Sequence, residues 1–118
     1  MKYMVMCCIE EAHWDRLSEA ERDKVMHDYG AWVQDTERAG QHLASAQLQP
    51  SNAATTLRMK NGRLAITDGP FAETKEQFGG YHLLECRDLN EAIALARRIP
   101  TLRVGGTIEV RPVLDMPN

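Results

Sequence analysis

An apolar run over residues 2–9 ends at Glu10 and Glu11, and its length and polar bounds predict a first strand. Val25, Met26, Tyr29, Trp32, Val33 and Thr36 then recur at helical spacing, with Asp23, Lys24, His27, Asp28, Gln34, Asp35 and Arg38 on the opposite face. Ser18 and Glu21 have the spacing of a capping box at the start of that helix, and Gly40 stands where a C-terminal cap ends it. Residues 41–49 form a weaker strand, broken by residues 50–52.

Two further runs, 55–60 and 63–67, flank Asn61-Gly62, the strongest short hairpin signal. In that register Leu57 faces Ile66 and Met59 faces Leu64, leaving Thr56, Arg58, Lys60 and Arg63 on a wetter face. Residues 80–86 read as another strand. Asp88 and Glu91 cap a second helix with Leu89, Ala92, Ile93, Ala96 and Ile99 as its buried stripe, and Pro100 stops it. In the last strand, 107–113, Ile108, Val110 and Pro112 alternate with Thr107, Glu109 and Arg111.

The order is strand, helix, strand plus hairpin, strand, helix, strand. It predicts an α+β fold, a ferredoxin-like βαββαβ plan with an extra β-hairpin, in a single domain over residues 1–118. Two helices on one side of a sheet leave its other side in need of cover, which a second copy of so small a chain would supply.

Composition narrows the function. A net charge of -3 without a basic patch argues against nucleic acid as a partner. The first apolar run is too short to span a bilayer and lacks a small-residue cleavage site, so a cytoplasmic protein with no membrane partner is expected. Three cysteines, two of them adjacent and on opposite faces of a strand, fit a reducing compartment. His13, His27, His42 and His82 have no close ligand spacing, so no metal is expected. Gly79-Gly80 and Gly105-Gly106 open strands rather than helices, so neither is a phosphate loop, and no cofactor is expected.

The densest stretch of special backbone chemistry is Asp68-Gly69-Pro70-Phe71-Ala72-Glu73-Thr74-Lys75-Glu76-Gln77-Phe78-Gly79-Gly80. Asp68 suits a carboxylate that caps its own turn, or an acid/base fixed by that turn. Phe71 is expected to anchor the loop in an apolar slot.

The stretch resembles the signature of the DGPF-type branch of the YCII-related family. Met1-Lys2-Tyr3-Met4, Ala39-Gly40 and Glu109-Val110-Arg111-Pro112-Val113 extend the resemblance over nearly the whole chain. It implies a bacterial protein and a dimeric α/β-barrel, a homodimer joined sheet to sheet. It also implies a functional link to an extracytoplasmic-function sigma factor, and it leaves the reaction undetermined. Other branches carry a helix histidine and an aspartate before the proline that follows the second helix. Those positions are Tyr29 and Ile99 here, so neither half of the dyad is present, and His27 points about 200° away around the helix.

The candidate site is a cavity bordered by the Asp68–Phe71 turn, Tyr29, Tyr81, Glu85 and Arg111, with Glu85 or Glu109 holding the Arg111 guanidinium until an anionic ligand arrives. Asp68 and Tyr29 are the catalytic candidates. Phe71, Tyr81, Glu85, Glu109 and Arg111 are the ligand-binding ones. The leading reading is a binding protein for a small molecule in a pocket at the sheet face. The alternatives are a proton-transfer enzyme using Asp68 and Tyr29, and a structural homodimer or sigma-factor-linked regulatory module.

Overall fold

A computed structural model describes residues 1–115. The chain runs through β1 (Lys2–Ile9), α1 (Glu11–Arg16), α2 (Glu19–Arg38), β2 (His42–Gln47), β3 (Thr55–Lys60), β4 (Arg63–Asp68), β5 (Gln77–Glu85), α3 (Leu89–Ala96) and β6 (Thr107–Pro112). Short 3₁₀ turns precede β3 and β6. Four strands form an antiparallel sheet in the order β2-β5-β1-β6, and β3-β4 form a separate ribbon. This is the α+β, ferredoxin-like arrangement expected from the order of elements, with the hairpin inserted between its second and third sheet strands.

Local chemistry explains the long helix. The Ser18 side chain accepts the Glu21 N–H while the Glu21 carboxylate accepts the Ser18 N–H, closing the capping box. At the other end Gly40 takes φ +72°. Its N–H bonds Glu37 O and the next N–H, of Gln41, bonds Thr36 O. This double bond pattern consumes carbonyls that the helix end would otherwise leave unpaired.

The core lies between the sheet and the helices. Tyr3 and Val5 of β1, Leu84 of β5, Trp32 of α2, Ala92, Leu95 and Ala96 of α3, and Ile99 are buried together, with Ile108 and Val110 packed against them. The last strand therefore turns the expected face to the helices. Trp32 ties the layers by donating its Nε1–H to Leu95 O at 2.9 Å.

Three expectations are corrected. Helix α1 was not foreseen, because its six residues carry no apolar stripe long enough to register a period. The buried stripe of α3 runs through Ala92, Leu95 and Ala96, while Leu89 and Ile93 are exposed. Glu91, close to the expected stripe, accepts bonds from Arg87 N and Gln41 Nε2. The third concerns the hairpin. Its register is as read, with Leu57 opposite Ile66 and Met59 opposite Leu64, and Asn61 and Gly62 both take positive φ as a tight hairpin turn requires. Yet its apolar face is bare within the chain. All four side chains are between 56% and 67% exposed, and the chain is a slab of 48 × 47 × 19 Å.

Candidate functional site

The side of the sheet that faces the helices opens beyond the core into a cavity of about 600 Å³. Its walls come from β1, β5, α1, α2 and the residues after β2, with Cys7, Tyr29, Met26, Val33 and His82 among the side chains of its lining. Alternation along β5 puts His82 on the Leu84 side of the strand, so the ring points at α2 rather than away from it.

A continuous row of hydrogen bonds runs along this wall. Cys7 Sγ lies 3.3 Å from Tyr29 Oη. Tyr29 Oη is bonded to His82 Nε2. His82 Nδ1 lies 3.0 Å from His42 Nε2. All three bonds can be satisfied with the protons pointing either way along the row. In one sense Cys7 donates to Tyr29, Tyr29 to His82 Nε2, and His82 Nδ1–H to His42. In the other sense all three bonds reverse. Trp32 fixes the rings edge-on, with its centroid 4.8 Å from that of His82 and 6.1 Å from those of Tyr29 and His42.

Burial holds three members of the row in their neutral forms. Burial, and then the neighbouring His42, lowers the His82 pKa to about 4, so the ring is uncharged at neutral pH. Burial, reinforced by Cys7, pushes the Tyr29 phenol well above its ordinary value and keeps its proton on. Burial also raises the Cys7 thiol, against the opposing effect of the Tyr29 hydrogen bond, so Cys7 is a poor nucleophile. What the wall offers is therefore hydrogen bonding and concerted proton movement, not thiolate attack. Among the described residues no three His, Cys, Asp or Glu groups are placed to hold a metal ion.

A strap closes one side of the cavity. Leu48 N–H bonds Gly79 O at 2.8 Å. The Glu11 carboxylate accepts the Ser51 N–H at 2.8 Å and is also bonded to the Ser51 hydroxyl. Glu11 N–H in turn donates to Gln77 Oε1 at 2.8 Å.

The single cavity expected from the sequence is not formed, because the sheet divides its residues. Tyr29 lies on the helix side. Tyr81 and Glu109 both face Met6 across the ladders, and Arg111 faces Met4, all on the open side. Arg111 Nη2 is held by Glu109 Oε2 at 2.5 Å, the pairing expected of that guanidinium, and both side chains are exposed. Glu85 binds the terminal amine of Met1 at 2.9 Å. Asp68 and Phe71 lie at the base of the hairpin. Gly69 N–H bonds Ala54 O and Thr56 Oγ1 donates to Gly69 O, so backbone and threonine hold this turn, and no bond from the Asp68 carboxylate is seen among the described residues. Phe71 is 74% exposed rather than anchored, since no apolar slot of its own chain lies beneath it. Its carbonyl accepts from Arg58 Nη2 at 2.7 Å.

His42 and Cys7 were not among the sequence-derived candidates. His82 entered only among the histidines without metal-ligand spacing. Its 53-residue separation from Tyr29 leaves no local signal. The one available clue was alternation, which sets His82 on the face of Gly80 and Leu84.

The profile of the YCII-related domain matches residues 1–117. The chain belongs to the YCII-related family. An uncharacterized protein of Rhizobium meliloti (strain 1021) is 40% identical to it over 114 residues, which span 96% of this chain and 92% of that protein. In this YCII-related chain Tyr29 on α2 faces an imidazole, that of His82 on β5.

Proposed function

We propose that this YCII-related protein binds a small organic molecule in the helix-side cavity and exchanges a proton with one of its polar groups through Tyr29 and His82. The observation that carries the reading is the hydrogen-bonded row from Cys7 to His42, which borders a cavity large enough for such a molecule. A polar X–H group beside Tyr29 Oη can pass its proton to that oxygen as Tyr29 passes its own to His82 Nε2 and His82 Nδ1–H moves to His42. The ligand then carries the negative charge, His42 the positive one, and reversal restores both. Asp68 has no part in this reading, because it lies at the hairpin and outside the cavity lining.

Tyr29→Phe tests it, since the ring remains and only the hydroxyl is lost. Metabolites selected by thermal shift should bind the variant at least about tenfold more weakly, in keeping with a lost hydrogen bond in a buried site, while its fold persists. Turnover assays on the same metabolites then separate a binding protein from an enzyme. If every metabolite that binds the protein is indifferent to Tyr29→Phe, the reading fails.

The same reading includes a homodimer, in which two copies cover the hairpin faces and the open sides of their sheets. A two-stranded ribbon with four bare apolar side chains is marginal in water by itself. The slab shape of the protomer supports the pairing.

A further inference from the structure

The charges around the cavity are one-sided. Its lining includes the carboxylates of Glu11 and Asp15 and no lysine or arginine. Four residues apart on α1, the two acids project to the same side of that helix. Glu11 is engaged by Ser51. Asp15 is exposed, and no hydrogen bond from its carboxylate is seen among the described residues.

The cations nearest in sequence are already engaged by backbone carbonyls or by another carboxylate. Arg22 donates to the backbone carbonyls of Asp15 and Leu17 at 3.0 and 2.6 Å, and Arg16 pairs with Glu10. Beside Asp15, the half-buried Trp14 also lines the cavity, and an indole face attracts a cation. Deeper in, the walls are apolar at Met26 and Val33 and neutral along the Tyr29–His82 row. Thr101 is also on the lining, and its buried Oγ1 has no partner among the described residues.

We infer that the cavity takes an organic amine, with its ammonium head beside Asp15 and Trp14 and its apolar middle across Met26 and Val33, so that its other end meets Tyr29. This rests on the cavity being a small-molecule site and adds the class of molecule. An anion on this lining would meet two carboxylates and no lysine or arginine of the lining itself, so the cavity disfavours the ligand that Arg111 suggested from sequence.

Calorimetric titration at pH 7.5 with 2-phenylethylamine, 2-phenylethanol and 3-phenylpropanoate tests the class on one framework. The amine should bind about fivefold tighter than the alcohol, the size of an exposed charge pair, and the carboxylate should bind most weakly. Asp15→Asn should bring the amine down to the alcohol and leave the alcohol unchanged. A carboxylate that matches or exceeds the amine overturns the inference, as does an amine preference that survives Asp15→Asn, and in both cases the cavity stands as a site. If none of the three binds at millimolar concentration, the amine inference falls, while the small-molecule reading is decided separately by the metabolites selected by thermal shift.

Discussion

Two apolar faces of this molecule meet opposite fates. Leu84, Val5 and Tyr3 point from the main sheet into the helices and are buried. Leu57, Met59, Leu64 and Ile66 line up just as regularly on the β3-β4 ribbon and stand in the open. Alternation decides that a strand has an apolar side; it does not decide what lies against it. The main sheet receives α2 and α3 because the crossover connections of a ferredoxin-like chain return helices to one side. The hairpin is closed by a two-residue turn, which leaves no chain to cover it.

The largest expected effect sharpens that contrast. Leu84→Ala should cost about 3 kcal/mol in urea unfolding, because a fully buried side chain leaves a cavity. Leu57→Ala, measured on protein diluted to monomer, should cost about 0.5 kcal/mol or less. Equal costs would mean that the hairpin is covered within its own chain.

A pH effect from the covered side comes next. The fold favours the neutral His82 ring. Between pH 6.5, the ordinary imidazole value, and about 4, the unfolded chain thus binds a proton that the native chain does not. Stability should fall with pH across that window and level off below it, by about 2 kcal/mol once water reaching the ring from the cavity is allowed for. His82→Gln should remove this part of the slope. An unchanged slope would place the acid sensitivity outside the Tyr29–His82–His42 row.

The smallest effect belongs to the bare face and reads the dimer. Leu57→Ser combined with Ile66→Ser should weaken self-association about tenfold or more in analytical ultracentrifugation, a change of about 1.4 kcal/mol. A protein that sediments as a monomer at micromolar concentration before any substitution removes the homodimer altogether.

Much of the architecture was legible locally. Ser18 and Glu21 marked the start of α2, Gly40 its end, Asn61-Gly62 the hairpin and its register, and Ile108 and Val110 the inward side of β6. Each depends on neighbours a few residues apart, where sterics and hydrogen bonding act without help from the rest of the chain. The site was legible only at Tyr29. Neither face of β5 is plainly apolar, since Gly80, His82 and Leu84 alternate with Tyr81, Leu83 and Glu85. Pattern alone could not say which set meets the helices.

What the sequence by itself determined, then, is where elements begin, end and turn, and which side of most strands is apolar. The tertiary structure decided which side of the sheet each candidate occupies. It separated Arg111 and Glu109 from Tyr29 by the thickness of the sheet. It joined Cys7, Tyr29, His82 and His42, which are far apart in the chain, into one row. It also left the hairpin face bare. The physical reason is one of range. Caps and turns are set by contacts within one or two turns of chain, whereas a hydrogen bond spanning 53 residues exists only after strand order and helix packing have fixed where both ends lie.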